Sequence, residues 1–441
     1  MSSSTQPVEE VDVVVIGAGP AGSVAAAFLA AAGRSVLMLE RRALPRFHVG
    51  ESQLPYTAEL LRQMGLWPEI MAAGYPIKRG AEFIFPDGDY RRTDFVDQGV
   101  GRQPVAFQAE RGHLDHLLAQ HACAVGAELR ENAVVQDLVF EGNRVVGVRY
   151  ESGGQQHEVR TRHLLDAGGR AAKTAKHFGT RNPIPWLQNV SVFRHFVDLD
   201  EAANPGYEGD IQVGGHADGW LWAIPIWADT ISIGAVTSAA NLRAAQSPEA
   251  LFDEHLQRVP RIRDRIAGTT PKGGFHIESD FCYYSDTVTG SGWTMAGDAG
   301  HFIDPIFSGG TFLAVLSGRE AALSVDRILA SPDREEELQA QYANLYKTGY
   351  DTYARVISAY YESGYKLGSY LRERGFAIAG DTHFARILSG DFWSDNNRFG
   401  EWLRAQPQWD TFASYDRVVT CPVYPGLDAA ERAAAPALAG V

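Results

Sequence analysis

Gly17-Ala18-Gly19-Pro20-Ala21-Gly22 closes a run of β-branched residues, Asp12 to Ile16, and opens an alanine-rich stretch. That order of strand, glycine turn and helix decides the fold. The first glycine makes the tight turn, the second lets backbone approach a pyrophosphate, and the third lets helix and strand pack closely. The helix N-terminus offers unpaired N–H groups and a positive dipole end to phosphate oxygens. Gly33 ends the helix, and Ser35 to Leu39 forms a second strand. Glu40, at its end, is placed to accept hydrogen bonds from a ribose hydroxyl pair. A glycine triplet alone is a weak signal; in this sequence of elements it predicts a bound dinucleotide.

The 441 residues are 45% hydrophobic and 21% charged, an ordinary soluble globular composition. A net charge of -14 and the lack of any basic run argue against a nucleic-acid binder. Cys123, Cys282 and Cys421 follow no metal-ligand or CxxC spacing, so no metal site is expected, and the set fits a reducing compartment. Residues 1–10 are polar and acidic, without the basic and apolar regions of a secretory signal. Ala21 to Leu39 is interrupted by Gly33-Arg34 and reads as a Rossmann helix rather than a membrane span. The expected location is the cytoplasm.

Further along, Leu114, Leu117 and Leu118 give helical period to Arg111–Val125, which Gly126 stops. Ala133 to Phe140 and Arg144 to Tyr150 flank Gly142-Asn143 as a hairpin. Between about 183 and 240 the texture changes to successive antiparallel strands, at Val190–Val197, Ile211–Val213, Trp220–Ile226 and Ile231–Val236. Residues 293–330 return to strand, Gly297-Asp298 and helix. Beyond Ser331-Pro332 the chain reads as helical, with Tyr and Leu at helical spacing over Glu335 to Leu371 and a fraying alanine-rich end at Leu427 to Val441.

Two further motifs select FAD. Asp166-Ala167-Gly168-Gly169-Arg170 follows an apolar strand, and Gly297-Asp298-Ala299 follows another, Trp293 to Ala296, to open a helix. An extended FAD needs an acid near its ribityl hydroxyls, which Asp298 fits; the bland alternative is a helix N-cap. With the turn at Gly17, these motifs resemble the FAD fold of p-hydroxybenzoate hydroxylase and its relatives over most of residues 10–330. The resemblance implies that Arg111 contacts flavin. The expected fold class is α/β: a Rossmann-like FAD-binding domain in three pieces (10–80, 105–180 and 275–330), an interleaved antiparallel-sheet substrate domain (81–104 and 183–272), and a helical C-terminal region (331–441).

The remaining motifs point to the chemistry. In Trp220-Leu221-Trp222-Ala223-Ile224-Pro225 strand alternation puts Trp220, Trp222 and Ile224 on one face as a flat, bulky wall. Together with Val49-Gly50-Glu51-Ser52 and Asp304-Pro305-Ile306-Phe307-Ser308-Gly309-Gly310, this stretch resembles the VGES, WxWxIP and DPxFSxG signatures of flavin-dependent halogenases of the pyrrole and phenol type. The resemblance implies the following chemistry. FAD, reduced by a separate flavin reductase, takes up O2 as a C4a-hydroperoxide, and chloride or bromide attacks it to give hypohalous acid. Lys78 holds that acid by hydrogen bond or captures the halogen as a haloamine, and an electron-rich phenol or pyrrole, free or tethered to a carrier protein, is halogenated in secondary metabolism such as antibiotic biosynthesis. Ser52 and Pro305 then lie beside the flavin, Trp220, Trp222 and Ile224 bar organic substrate from it, and Gly309 and Gly310 offer N–H groups to halide ahead of a helix beginning near Thr311.

Each site residue has a plainer reading. Lys78 beside Arg79 could be an exposed lysine, although a lysine in a partly apolar tunnel would have its pKa lowered enough to act as a neutral amine. Trp220 and Trp222 could be core aromatics, and so could Tyr350, Tyr353, Tyr360, Tyr361 and Tyr365, which otherwise read as a lid over an aromatic ligand. His301 reads as a packing or solvent-facing residue. Phe307 stands where tryptophan halogenases carry a glutamate, which argues against free tryptophan as substrate. Gly309 and Phe312 replace the Ser and His of related loops and bear on halide preference. Arg258, Arg261, Arg263 and Arg265 are candidates for a basic carrier-docking patch, with solvated surface the default. The competing functions are an aromatic hydroxylase reducing its own FAD with NAD(P)H, and a flavin-binding scaffold.

Overall fold

A computed structural model describes residues 8–96, 104–200, 209–375, 382–395, 397–412 and 414–424. Val13, Val14 and Val15 of the strand Glu9–Ile16 are fully buried, as a parallel strand covered on both faces must be. That strand pairs in parallel with Gln155–Asp166 and Val36–Leu39. The parallel sheet extends to Trp293–Met295 on one side and Glu128–Arg130 on the other. The hairpin of Val134–Glu141 and Arg144–Ser152 joins it antiparallel along Gln155–Asp166. Helix Pro20–Ala31 packs against the long helix Gly309–Ala330 so closely that a Cβ at Gly318 would overlap the Ala21 carbonyl.

The second sheet runs Thr270–Ser285, Arg181–Val197, Thr230–Ser238, Gly219–Trp227, Ile211–His216, Gly80–Ile84 and Tyr90–Asp94. Every pairing is antiparallel except Ile211–His216 with Gly80–Ile84. Its strands extend past the expected bounds, as at Ile211–Val213, which continues to His216. The Gly219–Trp227 strand serves two cores. Leu221 and Ala223 pack outward with Leu251, Phe252 and Leu256 of helix Pro248–Gln257. Trp220, Trp222 and Ile224 pack inward, with the nucleotide-binding layer and the loop containing Ile303, Ile306 and Phe307. Each buried indole removes roughly 150–250 Å² from water, worth about 4–6 kcal/mol, so burial alone is enough to keep both tryptophans on this face.

A separate short ribbon, Ile77–Lys78 paired with Ala106–Phe107, ends two residues before the strand Gly80–Ile84. The C-terminal helix Glu335–Glu362 ends sooner than its tyrosine spacing predicts. Gly364 (φ 59°) and Tyr365 (φ 66°) turn left-handed, and helix resumes at Leu367–Glu373. The expected frayed tail, Leu427 to Val441, lies outside the described residues. Among the described residues no helix is long and apolar enough to cross a membrane.

Candidate active site

The glycine turn is dictated by backbone contact. Gly17 has φ 91°, and a Cβ there would sit 2.7 Å from the Ala167 carbonyl oxygen; one at Gly22 would overlap the Gly17 carbonyl oxygen. Above Gly19 the space is open, with the Arg46 guanidinium 3.6 Å from where a Cβ would be. Helix Pro20–Ala31 starts without a side-chain cap, so its first amides remain for an anion. Glu40 accepts from the Ala18 amide at 3.0 Å and from Arg46 at 3.3 and 3.4 Å. This open cradle, ending in a buried acid, has the form that a dinucleotide needs.

Arg46 also bonds Asp115, at 2.9 Å, and Asp115 receives Arg111 at 2.9 and 3.2 Å. Burial works against the Asp115 charge, but Arg111, His48 and Arg46 outweigh it and hold its pKa below the ordinary carboxylate range. Arg111 in turn donates to the Val49 carbonyl at 2.8 Å. Gly50 has φ 107°, and a Cβ there would lie 2.6 Å from the guanidinium, so glycine is required in this loop on both counts. Arg111 thus ties down the 49–52 loop. Arg46 and Asp115 were not picked out from the sequence, where nothing links positions 69 residues apart.

Lys78 is buried (2% exposed). Its Nζ donates to Ser52 Oγ at 2.9 Å and to the Gln53 carbonyl at 3.0 Å, and lies 5.3 Å from the centre of the Phe95 ring. Desolvation lowers its pKa to about 7, against the pull of Asp210. The exposed-lysine reading is therefore excluded. A neutral amine has two N–H bonds to give, and two acceptors are present, which leaves its lone pair unengaged. Next to Ser52, Glu51 is buried and bonds His195 at 2.7 Å through one oxygen, while its other oxygen has no partner among the described residues.

The tryptophans share one face, but they are tilted by 50° with ring centres 5.9 Å apart, so the wall is not flat. Trp222 is wedged within its own sheet: its N–H donates to Ser232 Oγ at 3.1 Å, and a Cβ on facing Gly234 would overlap the indole. Trp220 instead donates to the Tyr361 hydroxyl at 2.9 Å. Tyr361 donates to Asp304 Oδ2 at 2.7 Å, and Asn189 bonds both, at 2.9 Å to Tyr361 and 3.2 Å to Asp304. Burial raises the Asp304 pKa, and the bonds from Tyr361, Asn189 and the Ile306 amide oppose that shift. The tyrosine spacing was visible in sequence; these partners were not.

The loop 304–310 departs from expectation at the halide end. Helix begins at Gly309, with Ser308 left-handed at φ 59°. The Gly309 amide already donates to the Tyr353 hydroxyl at 2.9 Å, so only Gly310 of the pair has no side-chain acceptor among the described residues. Pro305 is partly exposed and Phe307 packs against Tyr360, with ring centres 5.2 Å apart. Asp298 sits in a single 3-10 turn, Gly297–Ala299, and caps no helix, because the next helix starts eleven residues later. Burial raises its carboxyl pKa to about 6, with Arg170 and Arg111 opposing. His301 is wholly buried among Tyr346, Tyr350 and Phe412. The proposed basic patch dissolves. Arg258 pairs with Asp218 and Glu254, Arg261 with Glu82, and Arg263 with Asp264, while Arg265 is buried on Gln212.

Comparison with known proteins identifies the family. The FAD binding domain family matches residues 10–323. A tryptophan 2-halogenase of Chondromyces crocatus is 31% identical over 359 residues, 79% of this chain and 67% of that protein. A 1H-pyrrole-2-carbonyl-[peptidyl-carrier protein] brominase of Pseudoalteromonas luteoviolacea is 30% identical over 326 residues, 73% of this chain and 79% of the relative. Among solved structures, that of the flavin-dependent brominase Bmp2 superposes with a TM-score of 0.81 at 26% identity, covering 90% of this chain and 98% of its own. On these matches the chain belongs to the flavin-dependent halogenases, a family of FAD-binding oxidoreductases.

Proposed function

We propose that this enzyme oxidises chloride or bromide and transfers the halogen through Lys78 to an electron-rich phenol or pyrrole, free or carrier-bound. The observation that carries the reading is the buried Lys78 amine, with a pKa near 7 and two hydrogen bonds that fix it. FAD would be held by the Gly17-Gly19-Gly22 turn, Glu40 and Asp298, with Ser52, Arg111 and Pro305 framing its reactive end. When reduced by a separate flavin reductase it supplies, with O2, the oxidising equivalent that turns halide into hypohalous acid. The Gly310 amide, at a helix N-terminus, would hold halide.

The lysine step balances simply. The neutral Lys78 nitrogen attacks the halogen of hypohalous acid; an N–X bond forms, the X–O bond breaks, and water leaves with one amine proton. The arene carbon then attacks that halogen, the N–X electron pair returns to nitrogen, and the ring proton restores the amine. Ser52 Oγ and the Gln53 carbonyl orient the nitrogen without occupying its lone pair. Trp220, Trp222 and Ile224 keep the organic substrate away from the oxidant, so that the halogen, a smaller species, makes the transit.

The test pairs wild type with Lys78→Ala, supplied with FAD, flavin reductase, NADH, bromide or chloride, and a panel of phenols and carrier-bound pyrroles. Halogenated product from wild type only, with peroxide released by both, is the expected result. Oxygenated product, or halogenation indifferent to Lys78, overturns the reading in favour of a hydroxylase.

A further inference from the structure

The helix Glu335–Glu362 lies outside the segment that the FAD binding domain family matches, yet it sends two hydroxyls to the loop 304–310. Tyr361 is the more consequential. Its oxygen accepts from Trp220 Nε1 and Asn189 Nδ2, both at 2.9 Å, and its proton goes to Asp304 Oδ2 at 2.7 Å. Two acceptances and one donation exhaust a phenol hydroxyl. The three partners come from two different strands and a loop. Asp304 is fully buried, so losing Tyr361 takes a charge-assisted bond from it without water to replace it.

The contrast between the two indoles gives this bond its meaning. Trp222 is fixed from inside its sheet, by Ser232 and by the absence of a side chain at Gly234. Trp220 faces Gly215 in the register, and there the space that a Cβ would take is filled by Tyr365 rather than by the indole. The polar edge of Trp220 is held by Tyr361. We infer that Tyr361 is a positioning residue: through its hydroxyl the C-terminal helix sets the orientation of Trp220 against the loop 304–310, and with it the fraction of oxidant that ends as halogenated product rather than as released peroxide or oxygenated substrate. This rests on the reading of Trp220 as a barrier.

The experiment measures that fraction, with FAD affinity and halide KM alongside, for wild type, Tyr361→Phe, Trp220→Phe and the double variant. Tyr361→Phe is expected to lower the halogenated fraction about tenfold and to leave FAD affinity within about twofold. In the double variant the combined loss should be clearly smaller than the product of the two single losses, since both remove the Trp220–Tyr361 bond. A fraction unchanged in Tyr361→Phe, or losses that multiply in the double variant, overturns the positioning role. Insensitivity to Trp220→Phe as well would remove the barrier reading itself, a different failure. Should Tyr361→Phe not retain FAD, Asn189→Ala deletes one donor to the same oxygen and is expected to lower the fraction about threefold; no change there is equally fatal.

Discussion

The turn at residues 17–22 and the loop at residues 304–310 both present a helix N-terminus, and they are built in opposite ways. The turn is made by backbone against backbone: Gly17 against Ala167, Gly22 against Gly17. The loop is held by side chains arriving from elsewhere: Asn189, Tyr353 and Tyr361, the last of which also receives Trp220. The glycines that the first requires lie within six consecutive residues, although one of them packs against distant Ala167. The side chains that hold the second are spread over some 170. In the function proposed above, the first would hold the cofactor and the second would bear on what is done with it.

The sharpest way to break the comparison is Gly22→Ala. Its Cβ would overlap the Gly17 carbonyl, so the turn must deform. A loss of about 3 kcal/mol in stability and failure to retain FAD are expected, read by thermal melting and by flavin absorbance after gel filtration. A variant that keeps its FAD would mean that the turn is far more plastic than its contacts indicate.

At the other end of the site, Lys78→Met should abolish halogenation yet stabilise the protein by about 2 kcal/mol at pH 7. The folded pKa, about 7, lies below the ordinary 10.5, so between those values the unfolded chain binds more protons and stability rises with pH. Below pH 7 the cost of burying the charge is felt in full; above about pH 10.5 it is gone. The gain from Met should shrink accordingly, and chemical denaturation at pH 7 and pH 10 measures it. In the wild type, halogenation should rise through pH 7 as the amine loses its proton, checked by product formation across pH 6 to 9 at saturating halide.

The smallest effects separate the two adjacent glycines of the loop. A Cβ at Gly309 would meet the Tyr353 ring at 2.5 Å, so Gly309→Ala should cost about 2 kcal/mol. Nothing lies within 4 Å of a Cβ at Gly310, and Gly310→Ala should stabilise by about 0.5–1 kcal/mol through helix propensity alone. Equal melting shifts for the two would show that the Tyr353 contact does not constrain the loop.

The sequence was most legible where structure is periodic or local. The parallel strand at Val13–Val15, the helix stop at Gly126 and the shared face of Trp220, Trp222 and Ile224 all follow from alternation or turn chemistry. The position of Lys78 came from neighbouring motifs; its burial did not, because Lys-Arg on a short ribbon reads as surface. Asp298 reads in sequence as opening a helix, whereas the chain runs through one 3-10 turn and a loop before helix starts. Gly309 reads as a free donor in sequence because the hydroxyl that occupies it sits 44 residues away. The four arginines looked like a patch because sequence shows charge but not the acids opposite.

Trp222 and Gly234 have a consequence for anyone wishing to redesign this face of the sheet. The indole occupies the volume that its neighbour lacks, so the two positions share one allotment of space. Trimming Trp222 alone leaves a hole against the sheet, and enlarging Gly234 alone expels the indole. Only an exchange of size between them conserves the packing. Trp222 and the blank facing it must be redesigned as a pair.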